Sequence, residues 1–249
     1  MLVSLSEHSC IWYIRNLKFF PQLDEESMMD LASRSKMIPA KRGDLITVRT
    51  TAAGYAYLVK EGHLRVMRTS PDGRSISLDI LEPGDVIGLT PIMTEDSDAD
   101  SAEAMDDVLF CRLPASMLRE ALEKNPGLAL HYSKRVGIRK RSLETRLMDI
   151  AFCTVKVRIA RILLELMERF GNQVGGGVRI NLKLTHQEFG DLVGSNREAV
   201  NRSISSLIDS RVVRFSGKYL DVIDHQGLVR EANLEFDWQA SKVSPSELE

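Results

Sequence analysis

The sequence predicts an α+β chain: an antiparallel β sandwich or barrel, a long helix, and a C-terminal winged helix-turn-helix. Three observations carry this prediction. From Ile38 to Leu113 apolar residues alternate with period two between glycine-bearing turns. From Pro126 to Phe152 they step by threes and fours. From Leu184 to Asp209 two short amphipathic stretches, each opened by a capping signature, flank one glycine.

Residues 1–36 read as helical, with Phe19, Phe20, Leu23, Met28 and Leu31 at roughly helical spacing and a break at Pro21. These side chains read as lids on a core. Strands follow over Tyr55 to Val59, His63 to Met67 and Ile76 to Ile80. Turns fall at Lys41-Arg42-Gly43-Asp44, Glu61-Gly62, Pro71-Asp72-Gly73 and Glu82-Pro83-Gly84-Asp85. Short strands at such close spacing fit an antiparallel sandwich or barrel.

Pro114 to Lys124 should form one short helix, and Pro126 should start a long one ending near Phe152. Its stripe is Tyr132, Val136, Leu143, Leu147 and Ile150, interrupted by Arg139 and Lys140. One narrow stripe on a long helix fits a two-stranded coiled coil. The competing reading packs the stripe on the chain's own β domain. The Arg139-Lys140-Arg141 cluster reads as a solvated face, with Arg139 on the stripe as the exception. A hinge is expected at residues 152–156 and a helix over Val157 to Phe170, with Ile159, Ile162, Leu163 and Leu166 inward.

Gly171 to Gly177 reads as a flexible loop. A phosphate cradle would need Lys and Ser or Thr after the glycines, and neither is there. Val178 to Leu182 reads as a strand. Val212 to Phe215 and Tyr219 to Ile223 flank Ser216-Gly217-Lys218 as a hairpin, the wing, with Lys218 able to reach a phosphate. The tail from Glu231 is acidic and should be poorly ordered.

The Leu184–Asp209 stretch carries the chemistry. Thr185 with Glu188 forms one capping box and Ser195 with Glu198 a second. Gly194 can take the left-handed conformation that ends the first helix. In the second helix Val200, Ile204, Leu207 and Ile208 form the apolar stripe; Arg197, Glu198, Asn201, Arg202 and Ser205 lie off it. Arg can pair with guanine, Glu can accept from cytosine N4, and Asn can pair with adenine, so the outer face suits a major groove. An ordinary solvated helix would also expose polar residues, but two capped helices around a glycine favour DNA binding.

Charge distribution agrees. Net charge is −2, yet residues 153–230 hold 12 Lys and Arg against 8 Asp and Glu. Residues 231–249 hold 1 against 5. The basic excess thus falls where phosphates would be neutralised. Cys10, Cys111 and Cys153 are scattered, which argues against a disulfide framework and fits a reducing cytoplasm. No signal-peptide pattern or membrane-length apolar run is present, so a cytoplasmic location and no membrane partner are expected.

The run L-T-H-Q-E-F-G-D-L-V-G-S-N-R-E-A-V-N-R resembles the DNA-binding signature of the cyclic-AMP receptor protein and FNR family of bacterial transcription regulators. The pieces Y-L-V-K-E-G-H-L-R-V and L-E-P-G-D-V-I-G resemble the same family's β-roll sensor domain, a cyclic-nucleotide-binding-like fold. The resemblance implies boundaries: a sensor over 1–125, a dimerisation helix over 126–152, the winged helix-turn-helix over 153–230 and the acidic tail over 231–249. It implies base reading by Arg197, Glu198 and Arg202, with Asn201 between them able to alter one base. It implies phosphate contacts from Thr185, His186 and Gln187; Ser195 and Lys218 join that set. The half-site expected from the resemblance is TGTGA, in an inverted repeat read by a homodimer, with RNA polymerase as a further partner.

The family's cyclic-AMP binders carry Gly-Glu early and Arg-Ser or Arg-Thr before Ala later. Here Gly88-Leu89-Thr90 lacks the Glu, and Asp100-Ser101-Ala102 puts an acid in the Arg position. Glu95, Asp96, Asp98, Glu103, Asp106 and Asp107 add like charge around an anionic phosphate. Cyclic-AMP control is therefore not expected, and the effector pocket would be marked by Gly88, Leu89, Ser101 and Arg139. No resident cofactor or metal is expected. Asp96, Asp98 and Asp100 alternate as in a calcium loop but lack its glycine and distal Glu. Three scattered cysteines do not match the family's four-cysteine cluster sensors. His8, Cys10, His63, Cys111 and His131 are only nominal haem ligands. No catalytic constellation is found, so the chain is not expected to be an enzyme. The alternative is a module that binds haem or another small molecule and acts on a partner protein; a gel-shift screen on random duplexes separates the two.

Overall fold

The computed structural model describes residues 25–48, 54–88 and 100–232. The chain divides into two units, Met1–Lys140 and Arg141–Glu249. The expected helical residues Phe19, Phe20, Pro21 and Leu23, and the acidic tail beyond residue 232, lie outside the described residues.

In the first unit helix α1 (Glu25–Ser33) precedes eight strands: β1 (Lys36–Ala40), β2 (Leu45–Val48), β3 (Tyr55–Glu61), β4 (Leu64–Thr69), β5 (Ser75–Leu81), β6 (Val86–Ile87), β7 (Asp100–Ala104) and β8 (Val108–Pro114). They form two antiparallel sheets, ordered β1-β8-β3-β6 and β2-β7-β4-β5. Val59, Leu64, Leu81, Ala102 and Phe110 come from both sheets and make the core between them. Period two sends their neighbours to the opposite face. Ala56 and Leu58 of β3 and Cys111 and Leu113 of β8 pack instead with Met117, Leu118, Leu122 and Leu128 of the following helices. One sheet is thus buried on both sides, which explains why β3 reads Y-A-Y-L-V-K-E rather than alternating cleanly.

Helices α2 (Ala115–Lys124) and α3 (Pro126–Phe152) follow. Pro114 was expected to open α2 but is the last residue of β8, with φ −58° and ψ 129°. Its ring fixes φ at a value that suits an extended end as well as a helix start. Asn125 separates the two helices in an extended conformation, as a residue before proline prefers, and its Oδ1 accepts from the Leu128 amide at 3.0 Å.

One residue of the expected α3 stripe, Tyr132, needs correction, and Arg139 is the exception to a solvated face that the sequence marks. Tyr132 packs against the α2–β3–β8 cluster of its own unit, and burial raises its phenol pKa. Arg139 donates to Asp79 of β5, and Arg135, one turn earlier, to Asp85, whose side chain is buried. Val136, Leu143, Leu147 and Ile150 remain 45, 38, 66 and 38 % exposed.

In the second unit α4 (Val155–Phe170) starts after only Cys153 and Thr154. The Thr154 hydroxyl caps it, accepting from the Val157 amide, so two residues separate α3 from α4 where the sequence suggests a hinge at 152–156, and both helix ends lie within the Arg141–Glu249 unit. Ile159, Ile162, Leu163 and Leu166 are buried, as the spacing predicts. Gly171 to Gly177 is not a loop. It forms β9 (Gly171–Val174), a Gly175-Gly176 turn and the start of β10 (Gly177–Ile180), because its amides and carbonyls pair across a hairpin. β11 (Val213–Ser216) and β12 (Tyr219–Val222) complete a sheet ordered β11-β12-β10-β9. A last helix, α7 (His225–Glu231), capped by Asp224, was not anticipated.

The wing is fastened by a buried carboxylate. Asp221 on β12 receives Arg179 Nε and Nη2 at 2.8 and 3.1 Å and Arg214 Nε at 3.4 Å. Hydrogen bonds from Arg179, then from Arg214, hold its carboxyl below the usual carboxylate range. A depressed folded-state pKa stabilises above the unfolded value and loses that stabilisation as pH falls through the folded value. Asp221→Asn should therefore be clearly less stable than the parent at pH 7, and the gap should close below about pH 4. Thermal unfolding of both proteins across that range checks this.

Candidate nucleic-acid interface

Helix α5 (His186–Val193) begins in the capping box the sequence predicts. Thr185 Oγ1 accepts from the Glu188 amide at 3.2 Å, and Glu188 Oε2 accepts from the Thr185 amide at 2.6 Å. Phe189, Leu192 and Val193 are buried. Gly194 ends the helix at φ 62° and ψ 49°, a region that costs a side chain energy. The Ser195 amide donates to Gly190 O at 2.9 Å, folding the chain back sharply. A Cβ on Gly190 would stand 2.6 Å from Ser195 O, so the turn requires glycine there too.

Helix α6 (Arg197–Asp209) starts one residue later than expected. Its cap is Asn196, whose Oδ1 accepts from the Ala199 amide at 2.8 Å, and not Ser195. Because Asn196 is the cap, the third helical residue is Ala199. Glu198 stands one place too early to complete a capping box, so that duty falls away and it is left to face outward. Its carboxylate still lies in the first turn, where the helix dipole favours negative charge.

Val200, Ser203, Ile204 and Leu207 form the buried side of α6. Arg197, Glu198, Asn201, Arg202 and Ser205 are exposed, and their side chains make no hydrogen bond or ion pair among the described residues. The pattern is unusual here, because many arginines elsewhere in this unit are engaged. Arg146 meets Glu165, Arg161 meets Asp149 and Arg179 meets Asp221. The donors on α6 are left available to a ligand, with the spacing of one helix face.

The expected phosphate residues are placed unequally. Thr185 and Gln187 are exposed at the start of α5. The Thr185 hydroxyl accepts in the cap but can still donate, whereas Gln187 Nε2 already donates to Asp191 at 2.8 Å. His186 is half-buried with its ring against Phe215 of β11, centroids 6.0 Å apart. Ser195 is half-buried in the turn, and Lys218 is exposed at the wing tip. Of the expected effector-pocket residues, Gly88 is buried after β6, Ser101 is half-buried on β7, Arg139 is paired with Asp79, and Leu89 lies outside the described residues. Asp96 and Asp98 of the acidic run also lie outside them. Among the described residues no group of three or more His, Cys, Asp or Glu side chains could hold a metal ion, and no helix is long and apolar enough to cross a membrane.

One further residue supports the site without any sequence signal. Arg158, near the start of α4, donates from Nη1 to Val193 O at 2.6 Å and to Gly194 O at 3.3 Å. It satisfies carbonyls at the end of α5 and places a cation at its negative pole. Nothing in the spacing around Arg158 sets it apart from other arginines; only the folded geometry does.

Comparison with known proteins decides the family. Residues 38–125 match the cyclic nucleotide-binding domain, and residues 157–231 match the Crp-like helix-turn-helix domain. The chain belongs to the CRP/FNR family of transcription regulators. It is similar to the CRP-like cAMP-activated global transcriptional regulator of Mycobacterium tuberculosis, 27% identical over 213 residues, covering 86% of this chain and 95% of that one. It is similar to the global nitrogen regulator of Synechococcus elongatus, 28% identical, covering 77% and 87%. Among solved structures, FixK2 from Bradyrhizobium japonicum is 25% identical with a TM-score of 0.67, covering 79% of this chain and 96% of that one. The fold is thus the family's α+β arrangement, and α5 and α6 belong to a DNA-binding transcription regulator.

The corrected cap yields a test. Asn196→Ala should cost about 1 kcal/mol of stability, the usual size for a lost N-cap, while Ser195→Ala should cost much less. Urea unfolding of the two variants decides between the two cap assignments.

Proposed function

We propose that this family member acts as a homodimer that reads an inverted repeat of TGTGA-like half-sites through α6. Arg197, Glu198 and Arg202 contact base edges, and Asn201 adjusts one base. The carrying observation is that all four side chains are exposed on one face and free of partners among the described residues. Thr185, His186, Gln187, Ser195 and Lys218 serve phosphates, with Gln187 first having to give up Asp191. Two α3 helices pair along Val136, Leu143, Leu147 and Ile150, apolar side chains left exposed within one chain. RNA polymerase is the expected protein partner and the cytoplasm the expected compartment.

Cyclic AMP is not the effector in this reading. The Mycobacterium tuberculosis relative is named as cAMP-activated. This chain departs from the pattern that the resemblance implies for cyclic-AMP binders, with Gly88-Leu89-Thr90 lacking the Glu and Asp100-Ser101-Ala102 lacking the Arg. Arg139, the cation nearest in role, is already held by Asp79.

Arg202→Ala should lower affinity for the selected site by about 1–3 kcal/mol and relax the preference at one base position. An equal loss on every sequence, measured by fluorescence anisotropy on a panel of single-base variants, would remove Arg202 from base reading. Lys218→Ala should weaken binding uniformly and reduce the slope of log affinity against log salt by about one. Calorimetric titration with cyclic AMP should give no tight binding; tight binding would overturn the effector reading.

A further inference from the structure

The turn between α5 and α6 sets the direction in which the reading helix leaves, and two side chains from outside the motif rest on it. Arg158 Nη1 holds Val193 O and Gly194 O at 2.6 and 3.3 Å. Ile150, in the last turn of α3, lies against Gly194 of the same turn. A Cβ placed on Gly194 would come within 3.0 Å of Ile150 Cδ1 and 3.3 Å of Cγ1. The side chain therefore sits directly over the glycine.

The segment that carries Ile150 is itself fastened. Arg146 makes two bonds to Glu165 of α4, at 2.9 and 3.2 Å. Arg161 of α4 pairs with Asp149, and its Nε donates to Ala232 O at 3.0 Å. The end of α3, the start of α4 and the α5–α6 turn are thus linked through charged bonds and one apolar contact, all within the Arg141–Glu249 unit. Yet Ile150 keeps 38 % of its surface exposed, and it lies three residues after Leu147, which is 66 % exposed. One branch of Ile150 covers the turn while the rest stays on the α3 stripe.

We infer that Ile150 and Arg158 are positioning residues for base reading, and that Ile150 couples subunit pairing to the angle of α6. This rests on the homodimer proposed above. Arg158 holds the turn from the polar side; Ile150 holds it from the apolar side and also meets the partner helix. Losing the pairing would loosen the cover over Gly194, and losing the cover would leave a dimer whose reading helices are less well aimed. Leu147 has only the pairing role.

The test compares full-length Leu147→Ala, Ile150→Ala, Ile150→Val, Arg158→Ala and Arg158→Lys. Analytical ultracentrifugation gives the dimer constant, and anisotropy gives affinity for the selected site and for unrelated DNA at concentrations where each variant is dimeric. Circular dichroism confirms folding, and Ile150→Val keeps the arm readable if the alanine variant unfolds. Leu147→Ala should weaken pairing but regain parental site affinity once dimeric. Ile150→Ala should weaken pairing and, once dimeric, still lose specific affinity by about tenfold or more, with a smaller loss for Ile150→Val and unrelated DNA bound as before. Arg158→Ala should pair normally and lose specific affinity by about tenfold or more, the scale of a hydrogen bond from a charged donor, with partial return in Arg158→Lys. It should also tolerate a wider range of half-site spacings. Full recovery of site affinity by dimeric Ile150→Ala would overturn the coupling, and equal losses on specific and unrelated DNA would overturn the positioning role. A parent protein that binds its site as a monomer would overturn the dimer reading and the coupling at Ile150, while the Arg158 arm would still stand or fall on its own spacing-independent specificity.

Discussion

The reading surface depends on a tight reversal of the chain at Val193–Asn196. Two glycines make it sterically possible: Gly190 because the backbone of Ser195 passes too close for a side chain, and Gly194 because its φ is positive. Hydrogen bonds then close it, from the Ser195 amide to Gly190 O and from Arg158 to the last carbonyls of α5. Asn196 opens the next helix at once. With the turn fixed, the apolar side of α6 is committed to its own unit and the opposite side must face outward. The outward placement of Arg197, Glu198, Asn201 and Arg202 follows from these backbone constraints rather than from any contact those side chains make.

Charge is used in two ways within the DNA-binding unit. Arg146, Arg158, Arg161 and Arg179 are spent on internal carboxylates or carbonyls, where each supports a helix end or the wing. Arg197 and Arg202 carry the same chemistry but have no internal acceptor among the described residues. The distinction matters more than the local charge excess, because only uncommitted guanidinium groups can form the paired hydrogen bonds that distinguish bases. The sensor unit makes the converse use of charge. Asp79 and Asp85 are matched by Arg139 and Arg135 of α3, so both cations are engaged within the unit.

Much of this was legible in the sequence, and what was not has physical causes. The Thr185–Glu188 box, the Gly194 cap and the apolar stripe of α6 depend on local spacing, and local spacing is visible. Ser195 resembles a cap in sequence because Ser-x-x-Glu satisfies the same pattern; the bond from its amide to Gly190 O, which accompanies the helix start at Asn196, is a matter of three-dimensional closure. The Gly171–Gly177 segment looked mobile because glycine weakens strand propensity, but cross-strand pairing with β10 overrides that. Tyr132 shared the helical step of the α3 stripe, yet only the placement of β3, β8 and α2 reveals that it faces inward. Arg158 left no sequence signal, since its partners are backbone carbonyls 35 and 36 residues away.

The central claim is that α6 reads base edges in a two-fold arrangement. Selection of bound duplexes from a random pool, using the full-length protein at physiological salt, tests it most directly. The account predicts enrichment of a symmetric motif with two TGTGA-like half-sites whose centres lie about one helical turn of DNA apart. A pool that remains random after repeated rounds, or one that converges on a single site with no symmetry, would contradict it.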